Sequence, residues 1–228
     1  MHLLPSVWPG MNPDIETYWN LRLERCAEAL AANNFAVYRA ETPLAAQEII
    51  TSEIMPQITV QSAAWGDSLT MRATGIIELL RDNPAIDLIE TFIPGVPREE
   101  VMENRRRALL CDLFLTGSSA VTECGKLVNL DMVGNRTAAI TFGPRHVIIC
   151  VGRNKLVANV ATAMERIKNY AAPINAIRHT GIKTPCVKTG RCMDCKSPDR
   201  ICNSWTITEK SWPKHRIRVI LINQDLGL

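Results

Sequence analysis

The spacing of apolar residues near the start of the chain predicts a helix. In IETYWNLRLERCAEALAANN the apolar positions recur every three or four residues. They are Trp19, Leu23, Cys26, Ala27 and Leu30. This period places them on one face of an amphipathic helix, which we expect to end at the pair Asn33-Asn34.

Strand and helix patterns then alternate along the first half of the chain. The predicted strands are FAVYRA, QITVQSAA, AIDLIETFI and DLFLTGSSA. The predicted helices between them are TPLAAQEIITSEIM, GIIELLRDNP and PREEVMENRRRALLCD, and WGDSLTMRATG is predicted to be a loop. This alternation is typical of α/β layer proteins with a mostly parallel sheet.

The pattern changes between Leu113 and Val151, where short apolar runs are separated by turn residues such as Gly134-Asn135. The runs AVTEC, KLVNLD, RTAAITFG and HVIICVG are predicted to be strands, which form a hairpin-bearing insert within the sheet. A long helix, interrupted at Pro173, is predicted for LVANVATAMERIKNYAAPINAIRHTG. SWTITEK and RIRVILINQDLG are predicted to be two closing strands.

Composition is that of a soluble globular protein, since 46% of the 228 residues are hydrophobic and 21% are charged. We expect a leader at residues 1–14 and a single α/β domain at residues 15–228. The leader lacks Lys and Arg ahead of its apolar residues and contains three prolines, unlike a signal peptide. The longest apolar run, Val147 to Val151, is far shorter than a membrane span. A cytoplasmic protein without a membrane span is therefore expected.

Charge and aromatic content argue against nucleic-acid binding. The net charge is only +3, from 26 basic and 23 acidic residues, and aromatics make up 5% of the chain. A chain of this kind offers neither a basic patch nor a surface on which bases stack.

Four of the eight cysteines lie within the segment CVKTGRCMDCKSPDRIC, at residues 186–202. They are Cys186, Cys192, Cys195 and Cys202. In a reducing compartment such clusters are more often metal ligands than disulfides, and a soft thiolate cage selects zinc or an iron–sulfur cluster. The spacing alone leaves both open. Pro185, Gly190 and Pro198 are expected to prevent regular secondary structure, and the nearby Lys and Arg residues to balance the thiolate charge.

The other cysteines are expected to be small buried hydrophobic residues. They are Cys26, Cys111, Cys124 and Cys150.

The segment from residue 116 to residue 155 is rich in residues that turn tightly and bind anions. Thr116, Gly117 and Ser118 follow a buried strand, where α/β sheets place ligand loops. The full set of candidate ligand-binding residues is Thr116, Gly117, Ser118, Thr122, Glu123, Gly125, Asn135, Arg136, Gly152, Arg153 and Lys155. Cations just past a glycine turn can hold a phosphate or a carboxylate. The alternative is that Gly134-Asn135 is a hairpin turn and that the cations are solvated.

Glu123 is the one candidate for a nucleophile or general base, with a surface position as the alternative. Walker, G-x-S-x-G and G-x-G-x-x-G motifs are absent from the sequence, which argues against P-loop, serine hydrolase and standard dinucleotide enzymes.

The segment LTGSSAVTECGKLVNLDMVGNRTAAITFGPRHVIICVGRNKLV closely resembles the central signature of the LUD-domain family of lactate-utilisation proteins. The resemblance continues through APINAIRHTG into PCVKTGRCMDCKSPDRIC, which resembles the tail of a short-chain branch of the family. It extends over roughly residues 15–225 and is strongest from residue 113 to residue 202. Cys124 stands where the T-E-x-G motif usually has Asp, as a neutral substitution or a redox-active addition.

This resemblance implies a fold like that of ribose-5-phosphate isomerase, glucosamine-6-phosphate deaminase and the CoA transferases, with a central mixed sheet between two layers of helices. It also implies a role in the oxidation of lactate or a related 2-hydroxy acid, beside iron–sulfur partner proteins. In the CoA transferases a glutamate before a glycine is the nucleophile, which Glu123 matches loosely.

Three functions follow from these observations. The preferred one is a redox accessory or electron-transfer component of 2-hydroxy-acid oxidation, with a 4Fe-4S cluster on the four clustered cysteines. The second is an enzyme acting on a phosphorylated or CoA-linked small molecule, with Glu123 catalytic and zinc structural. The third is a zinc-stabilised interaction module. The expected partners are a redox protein and a small organic acid or other anion, and the sequence leaves a homo-oligomer open.

Overall fold

The computed structural model describes residues 13–93 and 95–228. Residues 1–12 of the expected leader lie outside the described part, and the first helix begins at Pro13. The helices are α1 (Pro13–Ala32), α2 (Pro43–Glu48), α3 (Leu69–Ala73), α4 (Ile76–Arg81), α5 (Arg98–Arg107), α6 (Asn135–Thr141), α7 (Val160–Arg166), α8 (Ala172–Arg178) and α9 (Pro185–Thr189). The strands are β1 (Ala36–Ala40), β2 (Ser62–Trp65), β3 (Asp87–Ile89), β4 (Leu113–Gly117), β5 (Ala120–Thr122), β6 (Leu127–Asp131), β7 (His146–Gly152), β8 (Leu156–Val157), β9 (Ser204–Thr208) and β10 (Ile217–Ile222).

Six strands form one large sheet, in the order β1-β10-β7-β4-β2-β3. Every neighbouring pair is parallel. The fold is therefore the three-layer α/β class that the sequence predicts, with this sheet in the middle layer.

Helices cover both faces of the large sheet because its central strands are apolar on both sides. In β7, Val147, Ile149 and Val151 pack on the face that α1 covers. Ile148 and Cys150 point to the opposite face, where they pack with residues of α2, α3 and α4. All five side chains are at most 1% exposed. The continuous apolar run HVIICVG is thus the signature of a strand buried on both faces.

A second, smaller sheet has the order β8-β5-β6-β9. It contains the hairpin expected in the middle of the chain, since β5 and β6 pair antiparallel, while β5 and β8 are parallel. The hairpin belongs to this separate, mixed sheet and not to the large one. Its apolar residues, including Ala120 and Val128, pack against Ala163 and Ile167.

Two short helices form where a strand and a loop were predicted. RTAAITFG was predicted as a strand, but residues 135–141 form α6, which begins after Gly134 in a left-handed conformation. Thr137, Ala139 and Ile140 are buried. A helix forms its backbone hydrogen bonds within the segment itself, whereas a strand would need a neighbouring strand to supply them. The loop predicted for WGDSLTMRATG contains α3, which Ser68 caps by accepting a hydrogen bond from the Met71 amide.

The predicted long helix runs from Val160 to Arg178 and contains a π-helical segment, Ile167–Ala171. This wide turn lies directly before Pro173, which lacks the amide proton needed to continue a regular ladder. Pro185 likewise stands at the first position of α9, so the cysteine segment contains one helical turn where none was predicted. None of the helices in the described part of the chain is long and apolar enough to cross a membrane.

Asp112 ties together the amino ends of β2 and β4. Its Oδ2 accepts hydrogen bonds from the amides of Gln61 and Ser62 and from the Ser62 hydroxyl, each at 3.0 Å. The Gln61 amide, followed by the Ser62 groups, holds the pKa of the Asp112 carboxyl below its usual value. A carboxyl whose pKa is lower in the folded than in the unfolded chain stabilises the fold at pH values above the unfolded pKa. This stabilisation is lost as the pH falls through the folded pKa.

We expect Asp112→Asn to lower the free energy of unfolding at pH 7 by about 1 kcal/mol. The deficit should shrink as the pH falls below about 3.9, the ordinary pKa of aspartate, because the wild-type carboxyl then also becomes neutral. Urea unfolding at pH 7 and at a pH below the ordinary pKa of aspartate measures the deficit, with the exposed Asp87→Asn as the control. Equal stabilities at pH 7, or a deficit that persists undiminished in acid, would contradict the prediction.

Candidate functional site: a charged cleft beside a four-cysteine cavity

A cleft of ≈ 460 Å³ opens where the carboxyl ends of the large sheet meet. Segments that follow four parallel strands line it. They contribute Asp67 after β2, Phe92 after β3, Ser118 after β4 and Lys155 after β7. Ligands of open parallel sheets bind at this edge because the strand ends and their loops converge there.

Arg136, in the first turn of α6, forms the polar floor of the cleft. Its guanidinium donates to Asp131 Oδ1 at 2.6 Å, to Asn129 Oδ1 at 2.7 Å and to the Gly117 carbonyl at 2.8 Å. The side chain passes close to Gly66, where a Cβ atom would lie 2.9 Å from Arg136 Cγ. The residue that the sequence left as either ligand-binding or solvated is therefore largely buried and fixed by partners from both sheets.

The opposite wall comes from the end of α8. Arg178 donates through Nη2 to Asp67 Oδ2 and, at 2.9 Å, to Asn175 Oδ1. Its Nη1 has no hydrogen-bond partner among the described residues. His179 Nε2 lies 3.9 Å from Asp67 Oδ2. Burial, followed by the charge of Arg178, lowers the pKa of His179, so its imidazole is neutral at pH 7.

Buried polar atoms without hydrogen-bond partners concentrate around this cleft. Within residues 13–93 and 95–228 they are Asp67 Oδ1, Arg105 Nε and Asn129 Nδ2. Asp67 and Arg105 line the cleft, and Asn129 contacts Arg136. Because buried polar groups are nearly always paired, unpaired donors and acceptors in a cavity wall are what a polar ligand would satisfy.

The structure brings five of the predicted ligand-binding residues together at the cleft. They are Gly117, Ser118, Asn135, Arg136 and Lys155. Lys155 is only 5% exposed, so it is not the solvated cation of the alternative interpretation. Burial, followed by the charges of Arg166 and Arg136, lowers its pKa to about 7.

The remaining predicted residues lie outside the cleft wall. Thr116 is fully buried in β4, and Gly152 packs against the segment that follows β10. Arg153 forms ion pairs with Glu16 at 3.0 Å and with Asp225 at 3.1 Å, which tie α1 to the end of the chain.

Glu123 and its neighbours face α1. Arg22 binds the Glu123 carboxylate at 2.6 Å, and Gly125 lies against the backbone of Ala29, where a Cβ would come within 2.5 Å. The Thr122 hydroxyl lies 3.1 Å from Cys124 Sγ and accepts a hydrogen bond from the Lys126 amide. These contacts give the candidate nucleophile a positioned partner but no place at the cleft.

The four clustered cysteines line one small cavity of ≈ 20 Å³. It lies beside the cleft, and two residues, Ala172 and Ile201, line both. We call this pair the shared wall. In the described part of the chain, no three Cys, His, Asp or Glu side chains converge closely enough to be recognised as a site for a single metal ion.

Polar donors approach three of the four sulfurs. The Asp194 amide donates to Cys192 Sγ at 3.5 Å, and the Thr184 hydroxyl lies 3.1 Å from Cys186 Sγ. Asp194 adopts a left-handed conformation, with φ 45°, between the two cysteines of the C-x-x-C turn. Lys168 Nζ lies 3.9 Å from Cys202 Sγ. Such donors stabilise negative charge on sulfur, as thiolate ligands require.

The charges around the cavity are held in place by Asp194. Its carboxylate accepts hydrogen bonds from Lys168 Nζ and Arg200 Nη2, both at 2.9 Å. Burial lowers the pKa of Lys168, but the hydrogen bond to Asp194 and the charges of Cys202 and Cys192 outweigh burial, so the pKa is raised. Arg200 also donates to the carbonyls of Cys195 and Cys202, which fixes the loop around the sulfurs.

The scattered cysteines differ from the clustered ones. Cys26, Cys111 and Cys150 are at most 2% exposed, and burial raises the pKa of each thiol to about 12. The prediction of small buried residues is confirmed for these three. Cys124 is exposed and does not fit it.

Several cleft residues carry no local sequence signal. Asp67, Arg105 and the adjacent pair Arg178-His179 come from three separate parts of the chain and stand in ordinary polar surroundings in the sequence. Only Asp67, in the turn after a predicted strand, follows the rule that placed Ser118.

Two comparisons with known proteins found similar chains or families. A crystal structure of a DUF162 family protein from Deinococcus radiodurans is similar, with a TM-score of 0.48 and 15% sequence identity over 90% of this chain and 98% of that chain. No curated protein matches the sequence. The profile of the LUD domain matches residues 23–222, which covers both sheets and the four-cysteine segment. The chain therefore belongs to the LUD domain family.

Proposed function

We propose that this LUD-domain protein is a redox accessory or electron-transfer component of 2-hydroxy-acid oxidation. In this proposal it binds a small organic acid in the cleft and carries an iron–sulfur cluster on Cys186, Cys192, Cys195 and Cys202. The observation that carries the proposal is the shared wall, because the same two residues, Ala172 and Ile201, line both the charged cleft and the cavity of the four thiols.

The cleft offers what a small carboxylate needs. Arg178 Nη1 and Arg105 Nε are donors without hydrogen-bond partners in the described chain. Asp67 Oδ1 is an acceptor without a hydrogen bond there, and it lies 3.7 Å from Arg72 Nη2. Two cationic donors suit a carboxylate, and a carboxylate acceptor suits the hydroxyl group of the same molecule. A 2-hydroxy acid presents both groups on adjacent carbons.

Four thiols are among the residues that line the cysteine cavity, as a cluster site would require. The Asp194 amide and Lys168 Nζ lie at two of the sulfurs, and the Thr184 hydroxyl lies 3.1 Å from Cys186 Sγ. Lys168 and Arg200 would offset the negative charge of the thiolates. When bound, a four-iron cluster would supply a one-electron relay. Oxidation of a 2-hydroxy acid to a 2-oxo acid releases two electrons and two protons, so a redox partner protein must act as the final acceptor.

We expect protein purified without oxygen to contain about four iron and four sulfide per chain, with a broad visible absorption. Cys192→Ser and Cys195→Ser should each lose most of this iron and absorption. Cys124→Ser, at the exposed cysteine outside the cavity, is the matched control and should keep both. Metal and sulfide analysis with a visible spectrum measures the outcome.

Colourless protein with one zinc per chain and no iron would overturn the electron-transfer role and favour the zinc-stabilised interaction module. Full iron content in Cys192→Ser would show that the cluster has other ligands.

We expect the protein to bind lactate, and Arg178→Gln to weaken that binding about tenfold or more, since a hydrogen bond to a charged group contributes about 1.5–3 kcal/mol. Arg106→Gln, at an exposed position on α5, is the control and should leave the affinity unchanged. Isothermal titration calorimetry measures both. Binding of a phosphorylated sugar or a CoA thioester in place of lactate would instead favour the enzyme alternative.

A further inference from the structure

Lys155 occupies an unusual position for a lysine. It follows the central strand β7, lies in the wall of the cleft and is only 5% exposed. Its one hydrogen bond in the described chain goes to Thr70 Oγ1, at 2.9 Å. The groups whose charges act on it most are Arg166, Arg136 and Cys150, none of which is a carboxylate. A buried ammonium without a counter-ion is costly, so the uncharged amine is favoured.

The hydrogen bonds of Thr70 leave the amine lone pair free. The Thr70 hydroxyl donates its proton to the Leu226 carbonyl at 3.0 Å. Thr70 therefore accepts a hydrogen bond from Lys155, and its own hydroxyl hydrogen is not available to the amine nitrogen. With a pKa of about 7, much of the Lys155 population is uncharged at neutral pH, and its lone pair can attack an electrophile.

The neighbouring cations decide which electrophile fits. Arg178 and Arg105 have free donors at the same cleft. Together they favour a ligand with an anionic group, while a neutral amine calls for a carbonyl carbon.

We propose that Lys155 forms a reversible Schiff base with a 2-oxo acid held in the cleft. The amine nitrogen adds to the keto carbon, so that a C–N bond forms, the C=O π bond breaks and one amine proton passes to the oxygen. The oxygen then leaves as water with the second amine proton, and the remaining C=N bond is the imine. No electrons leave or enter, so the step needs no oxidant. The choice of a 2-oxo acid rests on the proposed function, of which it is the product class.

Reductive trapping tests this inference directly. We expect wild-type protein incubated at pH 7 with pyruvate and cyanoborohydride to gain one adduct per chain, which peptide mapping places on Lys155. Its rate of formation should rise with pH around a midpoint of about 7, because only the uncharged amine reacts. A hydrogen bond from Lys126 to Glu209 raises the pKa of Lys126, which should stay unlabelled at this pH.

Two variants complete the test. Lys155→Met, which keeps an unbranched side chain but removes the amine, should abolish the adduct, and Lys126→Met should keep it. If Lys155→Met does not fold, the peptide map of the wild type decides alone. No adduct on Lys155, or equal labelling of exposed lysines, would overturn the inference.

Iron content measured on the same samples separates this inference from the proposed electron-transfer role. An adduct on Lys155 in protein that cannot hold iron would support the Schiff base and overturn the cluster. Protein that holds iron but forms no adduct would support the cluster and overturn the Schiff base.

Discussion

The hydrogen bonds of Arg136 hold the two sheets of this protein together. One guanidinium bonds to the Gly117 carbonyl at the end of β4, in the large sheet, and to Asn129 and Asp131 of β6, in the small sheet. A planar group with five donors can satisfy acceptors on both sheets at once, which a lysine cannot. Arg136 therefore joins the two sheets at the wall of the cleft.

A buried ion pair is an expensive way to join two layers, because both charges lose their hydration. Apolar residues of similar volume would hold the sheets at lower cost. The retention of Arg136 and Asp131 at this point, together with unpaired polar atoms nearby, is consistent with a surface arranged for a polar ligand. Stability is supplied elsewhere, by the apolar layers on both faces of β7 and by contacts such as those of Asp112.

Sequence reasoning predicted the parts of the fold that depend on local pattern. The period of α1 and the apolar run of β7 are set by burial of one face or of two, and both are legible in a single segment. Helix α6 was missed because Gly134-Asn135 and the residues after it are as compatible with a hairpin as with a short helix. At the site, Arg136, Lys155 and Ser118 follow glycine turns or a strand end and were predicted.

Arg178, Asp67 and Arg105 were not predicted, because their proximity results from packing of α8 and α5 against strand ends distant in sequence. The four cysteines form the opposite case. Their spacing predicted that they lie close together, and all four line one cavity. The spacing contains no information on the position of this cavity beside the cleft.

The shared wall of Ala172 and Ile201 has a consequence for how charge would move in the proposed function. Two apolar side chains provide neither a hydrogen-bond relay nor room for a chain of water molecules, so a proton cannot cross between them. An electron needs no such relay, because it can tunnel between two sites that share a wall. Protons released from a bound acid would have to leave through the cleft, while electrons would pass to the cysteine cavity. The shared wall would therefore let electrons pass and block protons.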